Sequence, residues 1–575
     1  MPTDVMGSAA WNNFLGDDAK NLAAKRYLLL GRPVLPGSLE SVYGKLHFRN
    51  PAHMLSISPT GGGKGISLII PNLLSYKGSM LVIDPKGENS WVTAKWRREG
   101  LGNKVYILDP WGEVNSKYGA LAGAEETVAR FNPLSALDPK AADYVDDIAY
   151  FADALVVTSE NTKEPHWDAS AKDLIGGLIA YVMEGENIEP GDKTLKTVRD
   201  LLNFPDDELR KICGDAVSLG SDSVAAKKLG RFKKDTTEVS GVFSTARTQT
   251  SFLDSETLRR NMEISDFSFD ELATGLATVY LVLPAERLST YGRWLRLMVS
   301  VGIRAVAHTR ASQHLPVVFM LDEFGTVGRL EAVENAYGLM RGFGMALWAF
   351  LQDLTQLHRD YPKSWQTFIA NSAAVTCFGV MDEFTVEHIS KMLGTRTVEY
   401  ETQSESISDS SGKSWSAGGT STSTSRNTSR NTSVNMTGRP LLMPDEVRRL
   451  NADLCLVLGR YNPILCRRLV YYEDYPFYRA ARWDPHFGSP QQQTKAAESK
   501  TAAALAHLAR QQITSFDSAT TGLLSCGFKV EKSYWGSITV RRGQRQLAKF
   551  RREQDFLPWA QQILAEGYRR LEFVF

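Results

Sequence analysis

A glycine-rich segment of the chain combines the residue types that bind phosphate. The run Ser58-Pro-Thr-Gly-Gly-Gly-Lys64-Gly65 follows the apolar stretch Met54–Ile57 and precedes a second apolar stretch. A glycine turn between a strand and a helix points backbone N–H groups inward and adds the positive end of the helix dipole. Lys64 would reach the β- and γ-phosphates. We therefore expect a nucleotide to be bound by Ser58, Pro59, Thr60, Gly61, Gly62, Gly63, Lys64, Gly65 and Ile66.

This segment departs from the usual G-x-x-x-x-G-K-[ST] pattern at two positions. Ser58 replaces the first glycine, and Gly65 replaces the hydroxyl residue that normally binds Mg²⁺. Ser67 is a candidate substitute ligand, and a water molecule is another. The alternative interpretation is an ordinary glycine turn with an exposed lysine, which the preceding strand makes the weaker one.

A second segment offers acidic groups at the end of a strand. The run from Pro316 to Leu321 leads into Asp322 and Glu323. We expect Asp322 to bind Mg²⁺ through water and Glu323 to act as the general base that activates the attacking water. Such a pair alone is more often a solvated turn, but together with the phosphate loop it indicates an NTPase. Gln352 ends the next strand-like run; it would sense the γ-phosphate or orient water, or else only begin a turn.

The elements that position these residues follow from short apolar runs separated by turns and helix-like stretches. Alternation of this kind predicts an α/β domain with a mainly parallel sheet. A strand between the phosphate loop and the acidic pair is typical of the RecA-like class of P-loop NTPases. The predicted strands are Met54–Ile57, Met80–Ile83, Val105–Leu108, Thr278–Leu283, Val317–Leu321, Ala346–Phe350 and Ala373–Phe378.

The stretch between Asn132 and Thr278 has helical apolar spacing instead. We interpret residues 161–261 as an all-helical insert. The RecA-like nucleotide-binding domain is then residues 51–160 and 262–480, after a lead-in over residues 1–50.

Residues 402–437 contain 19 serines and threonines in 36 positions and almost no aliphatic residues. Because such a segment cannot bury a core, a mobile, disordered loop is the favoured prediction, with a long mobile hairpin as the alternative. Residues 481–515 are predicted to be a linker and a helix.

The C-terminal residues 516–575 are predicted to form a small α+β module. This module carries ten lysines and arginines and six acidic residues. The aromatic residues Tyr534, Trp535 and Phe550 lie between the basic ones in the sequence. Phosphate contacts and stacking on these rings would suit single-stranded nucleic acid. A solvated basic face is the slightly favoured alternative, and a docking role for substrates or adaptors is equally compatible.

Composition excludes several classes. The 575 residues are 43% hydrophobic and 23% charged, with a net charge of +1, which excludes a disordered chain and a globally basic nucleic-acid coat. Five separated cysteines without a CxxC pair indicate reduced thiols rather than a zinc site or a disulfide framework. No apolar run is long enough to span a membrane and no signal-peptide core is present, so we expect a cytoplasmic protein.

The motifs resemble, in order, those of the coupling ATPases of type IV secretion and conjugation systems, the TraG group. The resemblance covers most of residues 5–475. It is carried by Gly7-Ser-Ala-Ala-Trp11, Ser58-Pro-Thr-Gly-Gly-Gly-Lys-Gly65, Ile70-Pro-Asn-Leu-Leu74, Val82-Ile-Asp-Pro-Lys-Gly-Glu88, Phe131-Asn-Pro-Leu134, His166-Trp167, Ser244-Thr-Ala-Arg247, Thr278-Val-Tyr-Leu-Val282, Leu321-Asp-Glu-Phe-Gly325, Gln352 with Gln356-Leu357, and Arg439-Pro-Leu-Leu-Met-Pro-Asp445.

The resemblance implies an ATP- and Mg²⁺-dependent motor that is hexameric when assembled, with a monomer in isolation as the alternative. It implies as partners a relaxase-bound single-stranded DNA or effector proteins, and inner-membrane components of the secretion system. Arg247 and Arg341 are the candidates for an arginine that acts on a neighbour's γ-phosphate, although a surface salt bridge is the favoured interpretation for either one alone.

Most members of the family carry transmembrane helices before the Gly-Ser-x-x-Trp element, where this chain has six residues. The expectation is a protein peripheral to the inner membrane. Two other functions stay open: a nucleotide-gated docking receptor with little hydrolysis, and a soluble DNA pump of the FtsK or HerA type.

Overall fold

The computed structural model describes most of the chain, with gaps near both ends. The described residues are 7–12, 28–38, 45–48, 52–118, 128–157, 165–309, 315–416, 419–474, 476–482, 529–532, 538–542, 545–550, 554–558 and 560. The predicted linker and helix at residues 481–515 lie almost entirely outside them.

The strands form one large sheet and two small ones. Their bounds are β1 (Leu28–Val34), β2 (Leu46–Phe48), β3 (Met54–Ile57), β4 (Met80–Asp84), β5 (Lys104–Leu108), β6 (Ala277–Val282), β7 (Val317–Leu321), β8 (Met345–Leu351), β9 (Ala374–Cys377), β10 (Thr395–Ser416), β11 (Gly419–Pro440), β12 (Leu454–Gly459), β13 (Ile464–Arg467), β14 (Lys529–Lys532), β15 (Ile538–Arg542) and β16 (Arg545–Phe550). Within the described residues, the large sheet has eleven strands in the order β2-β1-β13-β12-β9-β3-β8-β7-β4-β6-β5.

The seven strands from β9 to β5 in this order are parallel to one another. They are the seven predicted strands, with bounds that differ by at most one residue at either end, so the predicted α/β fold with a mainly parallel sheet is confirmed. Both faces are covered. In β8, Leu347 and Ala349 pack into one hydrophobic cluster, and Trp348 and Phe350 pack into the other. Burial on both faces explains why these strands read as continuous apolar runs.

Four antiparallel strands extend the sheet beyond β9. β12 pairs with β9, β13 with β12, β1 with β13 and β2 with β1. Sequence analysis did not predict these strands and treated residues 1–50 only as a lead-in. A side-chain ion pair between Arg32 and Asp474, at 3.1 Å, also ties β1 to the segment that follows β13.

Helices cover both faces of the sheet. The α-helices are Ile70–Ser75, Glu88–Glu99, Glu113–Tyr118, Tyr144–Leu155, Pro165–Glu184, Leu195–Leu202, Asp206–Asp215, Val224–Leu229, Thr237–Gln249, Glu256–Asn261, Glu271–Thr274, Leu288–Thr309, Phe324–Val327, Glu331–Leu339, Leu354–Asp360, Trp365–Asn371, Glu383–Leu393, Pro444–Arg448 and Phe477–Ala480. A π-helical turn spans Gly65–Ile69, and 3₁₀ turns span Pro133–Ala136, Pro190–Asp192, Ala216–Leu219, Gly230–Lys233, Ser251–Asp254, Ala285–Arg287 and Met340–Phe343.

The described residues between 165 and 261 form helices and turns but no strand. Side-chain oxygens define several helix starts in this stretch: Thr194, Ser223, Thr236 and Ser255 each accept a hydrogen bond from the backbone N–H three residues later. The apolar faces of these helices, which include Leu178 and Phe243, join the same buried cluster as Leu55 and Leu81 of the sheet. The helical stretch is therefore joined to one face of the sheet by a continuous hydrophobic cluster, which includes the helices Tyr144–Leu155 and Leu288–Thr309 between them.

Strands β10 and β11 form a two-stranded antiparallel hairpin with an unbroken register from Thr395↔Pro440 to Ser416↔Gly419. The favoured prediction of a disordered loop is therefore wrong, and the alternative of a hairpin describes this segment. The prediction of disorder considered only whether the segment can bury a hydrophobic core. Pairing of the two strands satisfies the backbone N–H and C=O groups without such a core. The hairpin base is held by the N-terminal segment, because Ala9 donates a backbone hydrogen bond to Thr395 at 2.9 Å.

Near the C-terminus, β14, β15 and β16 form a three-stranded antiparallel sheet. Most of the basic side chains predicted to contact nucleic acid lie outside the described residues. That role stays a prediction.

Candidate nucleotide site

The phosphate loop connects the carboxyl end of β3 to the π-helical turn Gly65–Ile69. The Lys64 side chain is 7% exposed and turns back over the loop, where its Nζ donates to the Ser58 carbonyl at 2.9 Å. Its ammonium group lies 3.8 Å from the Glu323 carboxylate. The loop therefore holds a buried positive charge directly beside the acidic end of β7.

Two glycines of the loop are required by its shape. Gly63 has φ of +88°, which side-chain-bearing residues rarely adopt. A Cβ at Gly62 would lie 2.2 Å from Ser58 Oγ and 2.9 Å from the Pro59 carbonyl oxygen. The loop can therefore keep its tight turn only with glycine at these positions, as the sequence pattern predicts.

Asp322 and Glu323 follow β7 at the same edge of the sheet. Burial, followed by the neighbouring Glu323 carboxylate, raises the pKa of Asp322 to about 7, against the lowering effect of Lys64. Glu323 has φ of +52°, and it is the one non-glycine residue with positive φ in the part of the chain that the structure describes. Strain of this kind concentrates at functional sites.

Gln352 follows β8, which lies between β3 and β7 in the sheet. Its Nε2 donates to Glu323 Oε2 at 2.9 Å, and its backbone N–H donates to Gln356 Oε1 at 3.0 Å. The structure thus brings together Lys64, Asp322, Glu323 and Gln352, which sequence analysis named from three separate segments.

The site fits a nucleotide with a divalent cation. Ser58 Oγ and Ser67 Oγ are buried and have no hydrogen-bond partner among the described residues, so both are free to bind a ligand. Asp84 and Glu323 both raise the pKa of Asp322, which shows that these carboxyl groups lie close together. A cation would relieve this repulsion, and oxygen donors are what Mg²⁺ prefers.

Arg468 is a site residue that sequence analysis missed. It follows β13, and its Nη1 donates to the Gly62 carbonyl at 2.5 Å, while its guanidinium lies 4.8 Å from the centre of the Phe378 ring. Burial lowers its pKa, and its Nε has no partner among the described residues. The antiparallel strands therefore add a cation to the phosphate loop.

The two candidate arginines occupy different places. Arg247 donates to the carbonyls of Leu202 and Phe204 and to the Asp206 carboxylate, at 2.6 to 2.8 Å. These bonds hold the turn between two helices of the helical stretch. Arg341 belongs to the 3₁₀ turn before β8, at the opposite end of the parallel strands from the phosphate loop; its side chain is not among those described.

Comparison with known proteins places this site in a family. The sequence profile described as "Type IV secretory system Conjugative DNA transfer" matches residues 18–506, which is most of the chain. The chain belongs to this conjugative DNA-transfer family. The recognition made from the motifs is therefore confirmed.

Curated members of the conjugative DNA-transfer family align over most of their length. The conjugal transfer protein TraG of Escherichia coli is 25% identical over 82% of this chain and 78% of its own. The type IV secretion system-coupling protein VirD4 of Bartonella quintana (strain Toulouse) is 25% identical over 81% of this chain and 73% of its own. This chain is thus a coupling-protein relative at the level of the whole sequence.

Solved structures share the fold. The unbound bacterial conjugative coupling protein TrwBdeltaN70 has a TM-score of 0.56 at 17% identity, over 80% of this chain and 94% of its own. The plasmid coupling protein TrwB in complex with ADP and Mg²⁺ has a TM-score of 0.55 at 16% identity, over 81% of this chain and 96% of its own.

In the part of the present chain that the structure describes, no helix is both long and apolar enough to cross a membrane.

Proposed function

We propose that this protein hydrolyses ATP and uses the energy to deliver a substrate to a type IV secretion channel. The observation that carries the proposal is the contact of Glu323 with both Lys64 and Gln352, from three strand ends that meet at one edge of the sheet. The substrate would be relaxase-bound single-stranded DNA, effector proteins or both, as the family suggests. TrwB complexes with an ATP analogue and with ADP and Mg²⁺ support the choice of cofactors.

Each site residue has a role in this proposal. Lys64 and the backbone N–H groups of Ser58–Ile66, a segment in which only Pro59 lacks one, hold the nucleotide phosphates. Asp322, and Ser67 as a second candidate, lie on the Mg²⁺ side. The Glu323 carboxylate accepts a proton from the attacking water, and Gln352 orients that carboxylate. Bound Mg²⁺ supplies charge stabilisation on the phosphates.

The protein would act as a hexamer at the cytoplasmic side of the inner membrane, with ATP bound between subunits. Arg341 is the better candidate for the arginine that acts in trans, because its backbone lies away from the phosphate loop of its own subunit. Arg247 is already engaged by three acceptors of its own chain.

The test compares ATP turnover and nucleotide affinity in two variants. We expect Lys64→Ala to weaken nucleotide binding, whereas Glu323→Gln keeps binding and loses turnover by about 100-fold or more. Steady-state hydrolysis with and without single-stranded DNA, and calorimetric titration with ADP, measure the two effects. Equal loss of nucleotide binding in both variants would contradict these roles.

One observation favours the second candidate function, a nucleotide-gated docking receptor. Gly65 removes the hydroxyl that usually binds Mg²⁺. Nucleotide binding without turnover in the presence of DNA and a hexameric assembly would support the receptor and reject the motor.

A further inference from the structure

The side-chain oxygen of Asn89 lies beside Gly65. Apart from the helix to which Gly65 belongs and its chain neighbours, the nearest described atom to a Cβ built on this glycine is Asn89 Oδ1, at 4.0 Å. A serine or threonine at this position would carry its hydroxyl into that space. The Asn89 amide oxygen therefore borders the region in which the usual phosphate-loop hydroxyl binds Mg²⁺.

Asn89 is held firmly in this position. It lies in the first turn of the helix Glu88–Glu99, directly after β4 and Gly87, whose φ is +68°. Its backbone N–H donates to Asp84 Oδ1 at 3.3 Å, and its carbonyl accepts from Thr93 Oγ1 at 2.6 Å. The residue is 4% exposed.

The acidic strand end lies nearby. β4 pairs directly with β7, and the Asp84 carboxyl is close enough to Asp322 to raise its pKa. Asn89 thus follows β4, which lies on one side of β7 and its Asp322. The phosphate loop follows β3, which lies on the other side of β7, beyond β8.

We propose that Asn89 supplies the side-chain oxygen that binds Mg²⁺ in place of the hydroxyl absent at Gly65. An amide carbonyl oxygen is a hard, neutral donor, as a hydroxyl is, so the exchange keeps the charge of the metal site. The inference rests on the proposed ATP–Mg²⁺ site and names one of its ligands.

Ser67 is the rival ligand. Its Oγ is buried and has no partner among the described residues. Both side chains can be truncated separately, so the experiment can distinguish them.

The experiment measures ADP affinity at a series of Mg²⁺ concentrations, with a fluorescent ADP analogue and with EDTA as the metal-free reference. We expect Asn89→Ala to raise the Mg²⁺ concentration of half-maximal effect about tenfold, as losses of metal-site groups do, while ADP affinity in EDTA stays unchanged. Asn89→Asp keeps an oxygen donor and serves as the control for folding, with a half-maximal concentration no higher than that of the wild type. Bound Mn²⁺ measured by electron paramagnetic resonance gives a second readout.

A rescue variant makes the test specific. Gly65 has no neighbour that a Cβ would strike, so Gly65→Ser is sterically allowed. We expect Gly65→Ser combined with Asn89→Ala to restore the Mg²⁺ response, because the hydroxyl returns to its usual place. Failure of this rescue, an equal loss of ADP affinity in EDTA for Asn89→Ala, or a shift caused by Ser67→Ala but not by Asn89→Ala would overturn the inference.

These outcomes are separate from a failure of the site itself. If Lys64→Ala weakens ADP binding and Asn89→Ala leaves the Mg²⁺ response unchanged, the site stands and only the Asn89 assignment fails. If Lys64→Ala leaves ADP binding unchanged, the proposed nucleotide site is wrong.

Discussion

At the scale of single residues, the site is organised around Glu323. Its left-handed backbone costs about 1–3 kcal/mol, and the turn after β7 maintains this conformation. The carboxylate is then shared between the Lys64 ammonium and the Gln352 amide. A carboxylate held between a cation and an amide donor keeps one orientation before any nucleotide enters, as a preorganised general base requires.

The proposed role of Gln352 is to position the Glu323 carboxylate. We expect Gln352→Ala to lower kcat about tenfold while the affinity for ADP stays unchanged, because the amide contacts the carboxylate rather than the nucleotide-binding loop. Steady-state kinetics and ADP titration measure the two quantities. Gln366→Ala, on an exposed helix position, is the matched control and should change neither; a loss of ADP affinity in Gln352→Ala would contradict the positioning role.

If Asp322 binds Mg²⁺ as proposed, metal binding depends on pH. Because its pKa is raised to about 7, the carboxyl is protonated at pH 6 and ionised at pH 8, and Mg²⁺ requires the ionised form. We expect the apparent Mg²⁺ affinity, measured through ADP binding, to fall by about tenfold per unit as the pH drops below 7. Asp322→Asn should lose this dependence, and a wild-type affinity that is constant from pH 6 to pH 8 would contradict the assignment.

The raised pKa of Asp322 also makes the free energy of unfolding depend on pH. The folded protein holds this proton up to about pH 7, whereas the unfolded chain releases it near 3.8, so the free energy of unfolding falls as the pH rises through that interval. Without Mg²⁺, we expect the difference in melting temperature between Asp322→Asn and the wild type to grow in favour of the variant from pH 5 to pH 8. A difference that is constant or shrinks over this range would contradict burial as the cause.

Much of the site could be predicted from the sequence because its signals are local. The glycine turn after β3 and the acidic pair after β7 each stand directly behind an apolar strand. Arg468 could not be found in this way, because it contacts Gly62 from 406 residues along the chain. The sequence likewise shows that Gly65 lacks a hydroxyl, but only the packing of the helix Glu88–Glu99 against the loop places Asn89 beside it.

At the scale of elements, the β10–β11 hairpin has two unlike faces. Cross-strand partners share a face, so Glu405 with Arg430 and Asp409 with Arg426 place charged pairs on one side. The alternate positions carry Ser406 with Ser429 and Ser410 with Ser425, whose hydroxyls bond across the strands. Composition alone cannot show this division, because the register that sorts the residues exists only in the folded pair.

The hairpin adds little to the stability of the fold. Its described side chains from Glu399 to Lys413 are all exposed. We expect a variant in which residues 401–434 are replaced by Asn-Gly, joining the opposed Tyr400 and Asn435, to keep the melting temperature of the wild type. Gly7→Ala is the contrasting control, because a Cβ there would lie 2.3 Å from the Thr395 carbonyl oxygen at the hairpin base and should lower the melting temperature. A large loss of stability on excision would show that the hairpin packs on the body of the protein.

At the scale of the whole molecule, the helical stretch and the sheet share one hydrophobic cluster. We expect residues 52–482 to unfold in a single calorimetric transition. ADP with Mg²⁺ should raise the temperature of this whole transition. Leu178→Ala in the helical stretch should destabilise this same transition by about 2–5 kcal/mol. Two transitions, of which ADP shifts only one, would show that the helical stretch unfolds independently.

The antiparallel extension of the sheet also sets an order in time. β1 lies near the start of the chain and pairs with β13. The hydrogen bonds between these two strands at Val34 therefore cannot form until Leu465 has been synthesised. At a synthesis rate of ~5–20 residues per second, this wait lasts roughly 20–90 s. In the last part of that interval, after Cys377 and before Leu454 has been made, β9 presents an open edge to which β12 has not yet been added. A newly made chain therefore passes through a period in which its nucleotide-binding strands can be complete while the arginine that contacts the phosphate loop has not yet been synthesised.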